Sequence, residues 1–385
     1  MRSDNPEIVF VFPAVMGGVS SFNFNLINNS NLIKKFSSKV ILLREETDQR
    51  PLFTETFNVD EQVVFRYSDN ENQYHLQKRL HDLLGNEEGA IVTDNGLTME
   101  ASARFNNPKT VFSLIHDYYY VNQNMRLGAL ADIAIAHSSF FSDAVFAADP
   151  GSFAERSLYI PYGVTQVPEL PLKNNAILKV VFLGRLENEK GVTLLGETDD
   201  ILLNNNTRVE WTIIGKGSLR EELRNQWKGK ANVQFCEPGT TSEVYDLLQK
   251  QDLFLFPTGF EGTPVSILEC IANGVVPVVN DLPGGIRDIV QESIGYRCSI
   301  NNINQYATII TSLDQDRNHL KDLQANCLVL AREKYDVKKN ADLYFELFLK
   351  YKKFKRPGNK AVRKLVKLDR PLFSNNLVKA IRSFK

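Results

Sequence analysis

The amino-acid sequence predicts an α/β protein of two domains, each built on a doubly wound parallel sheet. Short apolar runs alternate with helix-like runs, which is the pattern of βαβ units. A chain of 385 residues is long for one hydrophobic core and suits two cores of roughly 170 residues each. Hydrophobic content of 43% and charged content of 24% are typical of a soluble globular protein, which excludes disordered, collagen-like and coiled-coil classes.

The second half of the chain carries the more regular pattern. We predict strands in five apolar runs, at residues 180–183, 209–214, 233–235, 253–256 and 275–279. Ser218, with Glu221 three residues later, predicts a capping box that opens the helix after the second of these strands. For the helix after the fourth strand, Thr263 is the expected N-cap, Pro264 the first helical residue and Gly274 the residue just past the end.

The first half repeats the pattern less regularly. Its predicted strands lie at residues 8–12, 39–43, 63–66, 90–93, 110–115 and 133–136. Pro161, Pro168 and Pro171 interrupt a stretch with little periodicity and indicate an interdomain linker. We therefore expect an N-terminal domain over residues 1–165, a linker over 166–178, a C-terminal domain over 179–335, a helix over 336–350 that packs back toward the N-terminal domain, and a basic amphipathic tail over 351–385.

Cysteine usage and the N-terminus together indicate a cytoplasmic location. The four cysteines show no Cys-x-x-Cys spacing, which argues for reduced core thiols and against a zinc site or a disulfide framework. Residues 1–7 are polar and lead directly into a strand, so they do not resemble a signal peptide. No apolar run reaches the roughly 18 residues of a membrane span.

The net charge of −1 conceals a strongly basic tail. From Lys350 to Lys385 the chain carries thirteen Lys and Arg against the single acidic Asp369, which leaves 32 basic and 45 acidic residues in the rest. Apolar residues are interspersed with these charges, as in an interfacial helix on anionic lipid. We expect a peripheral association with the inner face of a membrane; the alternative is a tail docked on the acidic body. Nucleic acid is not an expected partner.

Charged residues follow the predicted strand ends of the second domain, where ligands of doubly wound sheets bind. Glu261 lies on a loop and Glu269 inside the following helix, so both carboxylates could accept hydrogen bonds from a polyhydroxy ligand. Arg185 and Lys190 are separated by a short loop and could converge on one diphosphate. A sugar nucleotide carries both kinds of group.

Two glycines also follow a strand end in this domain. Gly215 and Gly217 flank Lys216 directly after the second predicted strand of this half. Because glycine has no side chain, these positions would let the backbone approach a base or ribose closely before the next helix begins.

These motifs, taken in order, resemble the retaining glycosyltransferases of family 4, which have the GT-B fold of two Rossmann-like domains facing each other across a cleft. The resemblance covers most of the chain and is strongest from residue 183 to 290. Its motifs are Gly184-Arg185 with Lys190-Gly191, Gly215-Lys216-Gly217, Glu261 with Glu269, Gly274 to Val278, and Gly284-Gly285. In the first domain, Met16-Gly17-Gly18-Val19 and His116-Asp117 resemble the family's glycine loop and active-site histidine, and residues 160–164 its linker motif.

The resemblance implies a role for each matching residue. Glu261 would hold hydroxyls of the donor sugar, Glu269 the ribose, Arg185 and Lys190 the diphosphate, and His116 a sugar hydroxyl near the anomeric carbon. The expected catalytic residues are Glu261, His116, Arg185 and Lys190. The expected nucleotide-sugar-binding residues are Gly17, Gly18, Gly184, Arg185, Lys190, Gly215, Lys216, Gly217, Glu261, Gly262, Thr263, Pro264, Val265 and Glu269.

The implied activity is transfer of a hexose-like sugar from a UDP- or GDP-sugar to a saccharide or lipid-linked acceptor, with retention of configuration. The expected setting is synthesis of a cell-surface polysaccharide or glycolipid, with the N-terminal domain on the acceptor side. The departing phosphate would help to take the acceptor proton, so neither a protein nucleophile nor a cofactor or metal is expected. Asp314 and Asp316 match the metal-binding Asp-x-Asp pattern but sit where acidic residues favour a helix start.

Several alternatives remain open from the sequence. Glu261 and Glu269 could be a loop carboxylate and a solvent-facing helix residue, and His116 a buried structural histidine. The family's linker motif usually has Asn where this chain has Tyr162 and an acidic residue where it has Thr165. Other functions compatible with the fold are a catalytically silent protein that binds sugar nucleotide or glycan, and a different GT-B enzyme such as a sugar-nucleotide epimerase.

Overall fold

The computed structural model describes residues 5–148, 156–167, 173–358, 360 and 362–383. These residues form two compact units. Unit 1 comprises residues 1–161 and 338–385, and unit 2 comprises residues 162–337. The boundary after Pro161 precedes the predicted linker, of which residues 168–172 lie outside the described part of the chain.

Unit 1 is built on a parallel sheet of seven strands. The strands are β1 (Glu7–Pro13), β2 (Ser37–Glu45), β3 (Glu61–Tyr67), β4 (Gly89–Thr93), β5 (Thr110–Ile115), β6 (Ile133–Ala136) and β7 (Ser157–Tyr159). They lie in the order β3-β2-β1-β4-β5-β6-β7. The helices between them are α1 (Gly18–Asn29), α2 (Gln73–Leu84), α3 (Gly96–Arg104), α4 (Tyr118–Leu127) and α5 (Ser139–Ala148).

Unit 2 repeats this architecture with a parallel sheet of six strands. The strands are β8 (Leu178–Leu183), β9 (Val209–Ile214), β10 (Val233–Cys236), β11 (Leu253–Phe256), β12 (Val276–Asn280) and β13 (Tyr296–Cys298), in the order β10-β9-β8-β11-β12-β13. The helices are α6 (Leu194–Asn204), α7 (Arg220–Gln226), α8 (Thr241–Leu248), α9 (Val265–Ala272), α10 (Gly285–Ile289), α11 (Ile303–Gln315) and α12 (Arg317–Lys334). In each sheet the chain first adds strands on one side of β1 or β8 and then continues on the other side, as in doubly wound folds.

The central strands explain why the sequence forms these sheets. Residues 8–12 of β1 and 253–256 of β11 are at most 2% exposed, and each strand is paired on both sides. A strand covered on both faces by helices reads as a continuous apolar run. Because all the pairings are parallel, the carboxyl ends of the strands meet at one edge of each sheet, and the loops that follow them lie along that edge.

Two predicted helix starts are wrong. Helix α9 has Pro264 as its N-cap, without a side-chain hydrogen bond, whereas Thr263 was the expected cap. Helix α7 has Leu219 as its N-cap, and Ser218 bonds instead to the Glu187 carboxylate of another loop, through its amide at 2.9 Å and its hydroxyl at 2.6 Å. For Ser218 a contact with a distant loop replaces the local cap, whereas the buried Thr263 hydroxyl has no hydrogen-bond partner among the described residues.

The C-terminal part of the chain belongs to unit 1. It contains α13 (Val337–Phe348), α14 (Tyr351–Phe354) and α15 (Asn375–Ser383). The ring of Phe348 on α13 lies 5.1 Å from that of Phe112 on β5 and 6.2 Å from that of Phe10 on β1. Further along, the side chains of Arg356 and Lys360 donate to the backbone carbonyls of Ala131 and Leu130 at 2.6 and 2.8 Å. Within the described ranges, no helix combines the length and apolar character needed to cross a bilayer.

Candidate functional site

A largely buried ion pair lies at the carboxyl edge of the unit 2 sheet. Lys190 follows β8 and Glu261 follows β11, and the ammonium nitrogen lies 2.5 Å from Oε1 of the carboxylate. The two side chains are only 14% and 12% exposed. The Thr258 hydroxyl donates a further hydrogen bond of 3.3 Å to the same oxygen. Because β8 and β11 are neighbours in the sheet, the fold brings these two residues together across 71 positions of sequence.

Burial raises the pKa of Glu261 above its ordinary value, while the nearby positive charges of Lys190 and Arg185 act to lower it. Arg185 is therefore close enough to contribute to the field at Glu261. Its own guanidinium is 64% exposed and is paired with Glu189 at 2.7 Å. The arrangement holds one largely buried cation against one largely buried carboxylate, and the charge of a second, exposed cation also acts on that carboxylate.

Glu269 occupies the second turn of α9, where burial raises the pKa of its carboxyl to about 7. No hydrogen bond reaches this carboxylate from any residue in the described ranges. Its backbone carbonyl accepts from the Asn273 side chain at 2.9 Å. The carboxyl group is thus free to bond to a ligand, and it becomes an ionised group that only accepts hydrogen bonds as the pH rises through about 7.

The glycine loops of unit 2 pack against the chain itself. Gly215 has a φ of +149°, and a Cβ at this position would lie 1.9 Å from the carbonyl oxygen of Gly184. A Cβ at Gly217 would lie 2.3 Å from the carbonyl oxygen of Leu186. These glycines are therefore required to join the loops after β8 and β9, whether or not the backbone also contacts a ligand. Lys216 between them is exposed.

The loop before α9 is likewise held by close packing against another loop. The Gly262 carbonyl accepts a hydrogen bond of 3.0 Å from the amide of Gly285, and Thr263 is buried beside Gly285. Val265 is the first residue of α9. The predicted binding segment 261–265 is thus fixed by the loop that follows β12.

In unit 1 the predicted glycine loop lies at the start of α1. Gly17 is the N-cap residue of this helix and Gly18 its first residue, directly beyond β1. A Cβ at Gly17 would meet no atom within 4 Å, so packing does not explain this glycine. The space beside the helix N-terminus is open to a ligand.

His116 lies at the end of β5 in a cluster of aromatic rings. Its ring centre is 4.6 Å from that of His137, 4.9 Å from Tyr120 and 5.5 Å from Phe22. Burial lowers the pKa of His116 to about 3, so its imidazole is neutral at pH 7. His137, to which the sequence assigned no role, accepts or donates a 2.7 Å hydrogen bond with the Tyr344 hydroxyl.

Asp94 is a residue of this cluster that the sequence analysis missed. It follows β4, is 2% exposed, and has Oδ2 3.6 Å from Nε2 of His116. Neither carboxylate oxygen accepts a hydrogen bond of normal geometry from a described residue. Burial raises the pKa of Asp94 to about 7; its own backbone amide and the Tyr120 hydroxyl oppose this rise, and the charge of Asp117 adds to it. Its position directly after a strand was the available signal, but a lone aspartate has no motif.

Two further features bear on the location of the site. A groove of about 510 Å³ opens at the amino ends of β8, β9 and β10, which is the edge of the unit 2 sheet opposite the predicted residues. Among the described residues, no group of three or more His, Cys, Asp or Glu side chains is arranged to hold a metal ion. The combination of the unit 1 and unit 2 residues in a single site stays a prediction.

Solved structures with the same architecture cover nearly the whole chain. Anabaena Alr3699/HepE, crystallised with UDP and glucose, matches with a TM-score of 0.69 at 16% identity over 90% of this chain and 100% of that one. The fold is GT-B. The pneumococcal O-GlcNAc transferase GtfA, in complex with UDP and GlcNAc, shows the same GT-B architecture with a TM-score of 0.66 at 11% identity, over 90% of this chain and 99% of that one.

Sequence comparison adds a family match in the second half of this GT-B chain. Residues 169–327 match the model of the family described as Glycosyl transferases group 1. An Escherichia coli UDP-Gal:alpha-D-GlcNAc-diphosphoundecaprenol alpha-1,3-galactosyltransferase is 23% identical over 184 residues, 47% of each chain. A Petrotoga mobilis glycogen synthase is 31% identical over 124 residues, 31% of this chain and 25% of that one. The chain thus spans about half or less of the length of these two curated relatives.

Proposed function

We propose that this protein is a retaining glycosyltransferase of family 4 that moves a sugar from a UDP- or GDP-sugar to a saccharide or lipid-linked acceptor. The observation that carries the proposal is the buried pair of Lys190 and Glu261, with Arg185 beside it, at the carboxyl edge of the unit 2 sheet. This edge lies within the segment that matches the group 1 glycosyl transferase model.

The pair suits a donor that carries a diphosphate next to a sugar. Without donor, Glu261 neutralises Lys190 at 2.5 Å. With donor, the diphosphate oxygens would bind Lys190 and Arg185, since charge-assisted hydrogen bonds to phosphate are strong. Glu261 would then be released to accept hydrogen bonds from hydroxyls of the transferred sugar. Positive charge held at the departing diphosphate stabilises the transition state electrostatically, which is usually the largest catalytic contribution.

Glu269 suits the ribose of the nucleoside. A carboxylate has two oxygens and can accept hydrogen bonds from both hydroxyls of a ribose diol. The Glu269 carboxylate has no hydrogen-bond partner among the residues described, and the raised pKa of about 7 places its ionisation near physiological pH. We therefore assign nucleoside recognition to Glu269 and sugar recognition to Glu261.

The unit 1 residues suit the sugar and acceptor side of the reaction. Neutral His116 could hydrogen-bond a sugar hydroxyl, and Asp94 beside it offers a carboxyl group. Gly17 leaves room for a ligand group at the N-terminus of α1. The departing phosphate would take up the acceptor proton, so the proposed mechanism uses no protein nucleophile and requires no metal or cofactor.

The proposed setting is synthesis of a cell-surface polysaccharide or glycolipid. The name of the E. coli relative describes transfer of galactose to a sugar carried on diphosphoundecaprenol. A saccharide or lipid-linked acceptor follows by analogy with that relative.

A donor screen tests the proposal. Release of UDP or GDP from a panel of nucleotide sugars is measured with saccharide and lipid-linked acceptors, and the anomeric configuration of the product is read by NMR. We expect Lys190→Ala and Glu261→Ala to lower turnover by at least about 100-fold, the usual effect of removing a group that stabilises the transition state. Arg224→Ala is the control, since Arg224 forms an exposed pair with Glu221 at 3.5 Å. Full activity in both site variants would refute the site assignment.

Binding without turnover distinguishes the alternative functions. If the protein binds a nucleotide sugar but releases no nucleotide with any acceptor, it is a sugar-nucleotide-binding partner. If it converts the donor to a different sugar nucleotide, it is an epimerase. Either result would contradict the proposed transfer.

A further inference from the structure

The basic tail is anchored to unit 1 by its polar groups. Asp132, fully buried at the start of β6, accepts a hydrogen bond of 3.1 Å from the Arg356 amide and pairs with the Lys360 ammonium at 2.9 Å. Asn72, at the start of α2, donates its side-chain amide to the backbone carbonyls of Leu368 and Phe373 at 2.8 and 3.0 Å. The docked arrangement that the sequence left as an alternative is thus observed.

Helix α15 is attached in the same way through one side. Asn375 donates to the buried carboxylate of Glu71 at 2.8 Å. Arg382, two turns later, binds both oxygens of Asp369 at 2.9 and 3.0 Å. Val378, between them, is fully buried. Because residues 375, 378 and 382 recur at helical spacing, they form the face of α15 that contacts unit 1.

Beside this face the helix exposes two apolar residues. Leu377 and Ile381 lie four residues apart, flank the buried Val378 and are 48% and 39% exposed. Leu372, in the turn before the helix, is 90% exposed. A surface helix normally buries its apolar stripe and leaves its polar face in water. Here Val378 is buried, whereas Leu377 and Ile381 of the same stripe remain exposed.

The segment before α15 carries exposed positive charge. Lys364, Lys367 and Arg370 are exposed, and none of them forms an ion pair with a residue of the described chain. Asp369 is the single acidic residue of the tail; it is buried and paired with Arg382. Among the described residues of the tail, the outward surface therefore carries unpaired cations and no carboxylate side chain of the tail itself.

We infer that this outward surface, formed by Leu372, Leu377 and Ile381 with Lys364, Lys367 and Arg370, binds an anionic lipid surface. Apolar side chains at the boundary of headgroups and acyl chains lose contact with water, and lysine and arginine reach the phosphates from the same depth. An acidic protein would match the charges but not the apolar residues. Docking on unit 1 and binding to lipid are compatible because they use different residues of α15: Asn375, Val378 and Arg382 make the contacts with unit 1, and Leu377 and Ile381 remain exposed.

Vesicle flotation with the full-length protein tests this inference. Vesicles of phosphatidylcholine alone are compared with vesicles that contain 30% phosphatidylglycerol. We expect the wild-type protein to bind the anionic vesicles only, and to be released by 0.5 M salt, since salt screens exposed charges. The triple variant K364Q/K367Q/R370Q should bind about 100-fold more weakly. The triple variant L372S/L377S/I381S should lose at least 10-fold.

Matched control variants replace the same number of exposed cations or apolar residues outside the proposed surface. K228Q/K321Q/K338Q removes three exposed lysines, and I300S/V329S/L343S removes three apolar residues that are about half exposed. Both controls should bind anionic vesicles as the wild type does. Circular dichroism establishes that each variant is folded.

Three outcomes overturn the inference. Wild-type protein could fail to prefer anionic vesicles, or the serine variant could bind them as tightly as the wild type. Alternatively, light scattering could show a wild-type dimer that L372S/L377S/I381S converts to a monomer, in which case the surface binds a second copy of this chain. The assay contains no nucleotide sugar, so its result is independent of the proposed transferase activity.

Discussion

The pair of Lys190 and Glu261 permits a stability prediction that is independent of any substrate. Replacing Lys190 with Met removes the cation and leaves a carboxylate that is 12% exposed, with only the Thr258 hydroxyl, at 3.3 Å, as a partner. Breaking a buried ion pair on one side costs about 3 to 5 kcal/mol. Burial already raises the pKa of Glu261, so protonation of this carboxyl relieves part of the cost. We expect a loss of about 3 kcal/mol at pH 8 and less at pH 5.

Thermal unfolding of four proteins measures this effect. The wild type, Lys190→Met, Glu261→Gln and the double variant form a double-mutant cycle. A loss of about 3 kcal/mol lowers the melting temperature of a domain of this size by about 6 to 12 °C. The double variant should recover most of this loss, because replacing both members of a buried pair is often nearly neutral. An unchanged melting temperature for Lys190→Met, or additive effects in the double variant, would refute the reasoning.

Three further predictions follow from the site. Because the pKa of Glu269 is about 7, the affinity of the wild type for UDP, measured by calorimetry, should rise about tenfold more between pH 6 and pH 8 than that of Glu269→Gln. Equal pH dependence in the two proteins would contradict ribose recognition. Asp94, also with a pKa of about 7, should destabilise the fold as the pH rises from about 4 to 7, because the folded state keeps a proton that the unfolded state releases. Asp94→Asn should therefore raise the free energy of unfolding by about 1 to 3 kcal/mol more at pH 8 than at pH 5, seen as a larger rise in melting temperature, while it lowers turnover. An effect that does not change with pH would show that the folded state does not raise the pKa of this carboxyl group. Gly215→Ala should cost about 3 kcal/mol because its Cβ would lie 1.9 Å from the Gly184 carbonyl oxygen, whereas Gly229→Ala, with φ +84° and no atom within 4 Å, should cost about 1 kcal/mol; equal losses in chemical denaturation would exclude the contact as the cause.

The sheets were predictable because their strands are buried on both faces. Residues 253–256 and 133–136 form continuous apolar runs, and both are strands with the predicted bounds. Strands β7 and β13 were missed. Each has three residues, lies at the edge of its sheet and includes polar side chains such as Ser157 and Arg297, so its sequence shows no apolar run.

Helix starts were less predictable because the packing between loops, rather than the residue type, decides whether a side chain caps a helix. Thr263 and Ser218 both have the residue type of an N-cap. In the structure, Thr263 is buried against Gly285, and Ser218 binds the carboxylate of Glu187. Local sequence cannot reveal either contact, since each joins loops that follow different strands.

The candidate site was partly readable for a related reason. Lys190 and Glu261 follow strands of one parallel sheet, so their meeting at its edge follows from topology alone. Asp94 is different: it belongs to no motif, and its importance lies in its burial and in the 3.6 Å distance to His116. Packing, rather than spacing along the chain, produces that environment.

The tail separates what the sequence determines from what the tertiary structure decides. Sequence alone fixes its charge, with thirteen basic residues and one acidic residue from 350 to 385, and its scattered apolar positions. Only the folded chain decides that Asn375 and Arg382 face unit 1 while Leu377 and Ile381 face outward. Composition is a sum over residues, whereas orientation depends on which partners the rest of the fold supplies, here the carboxylate of Glu71 for Asn375 and its backbone carbonyl for Arg382.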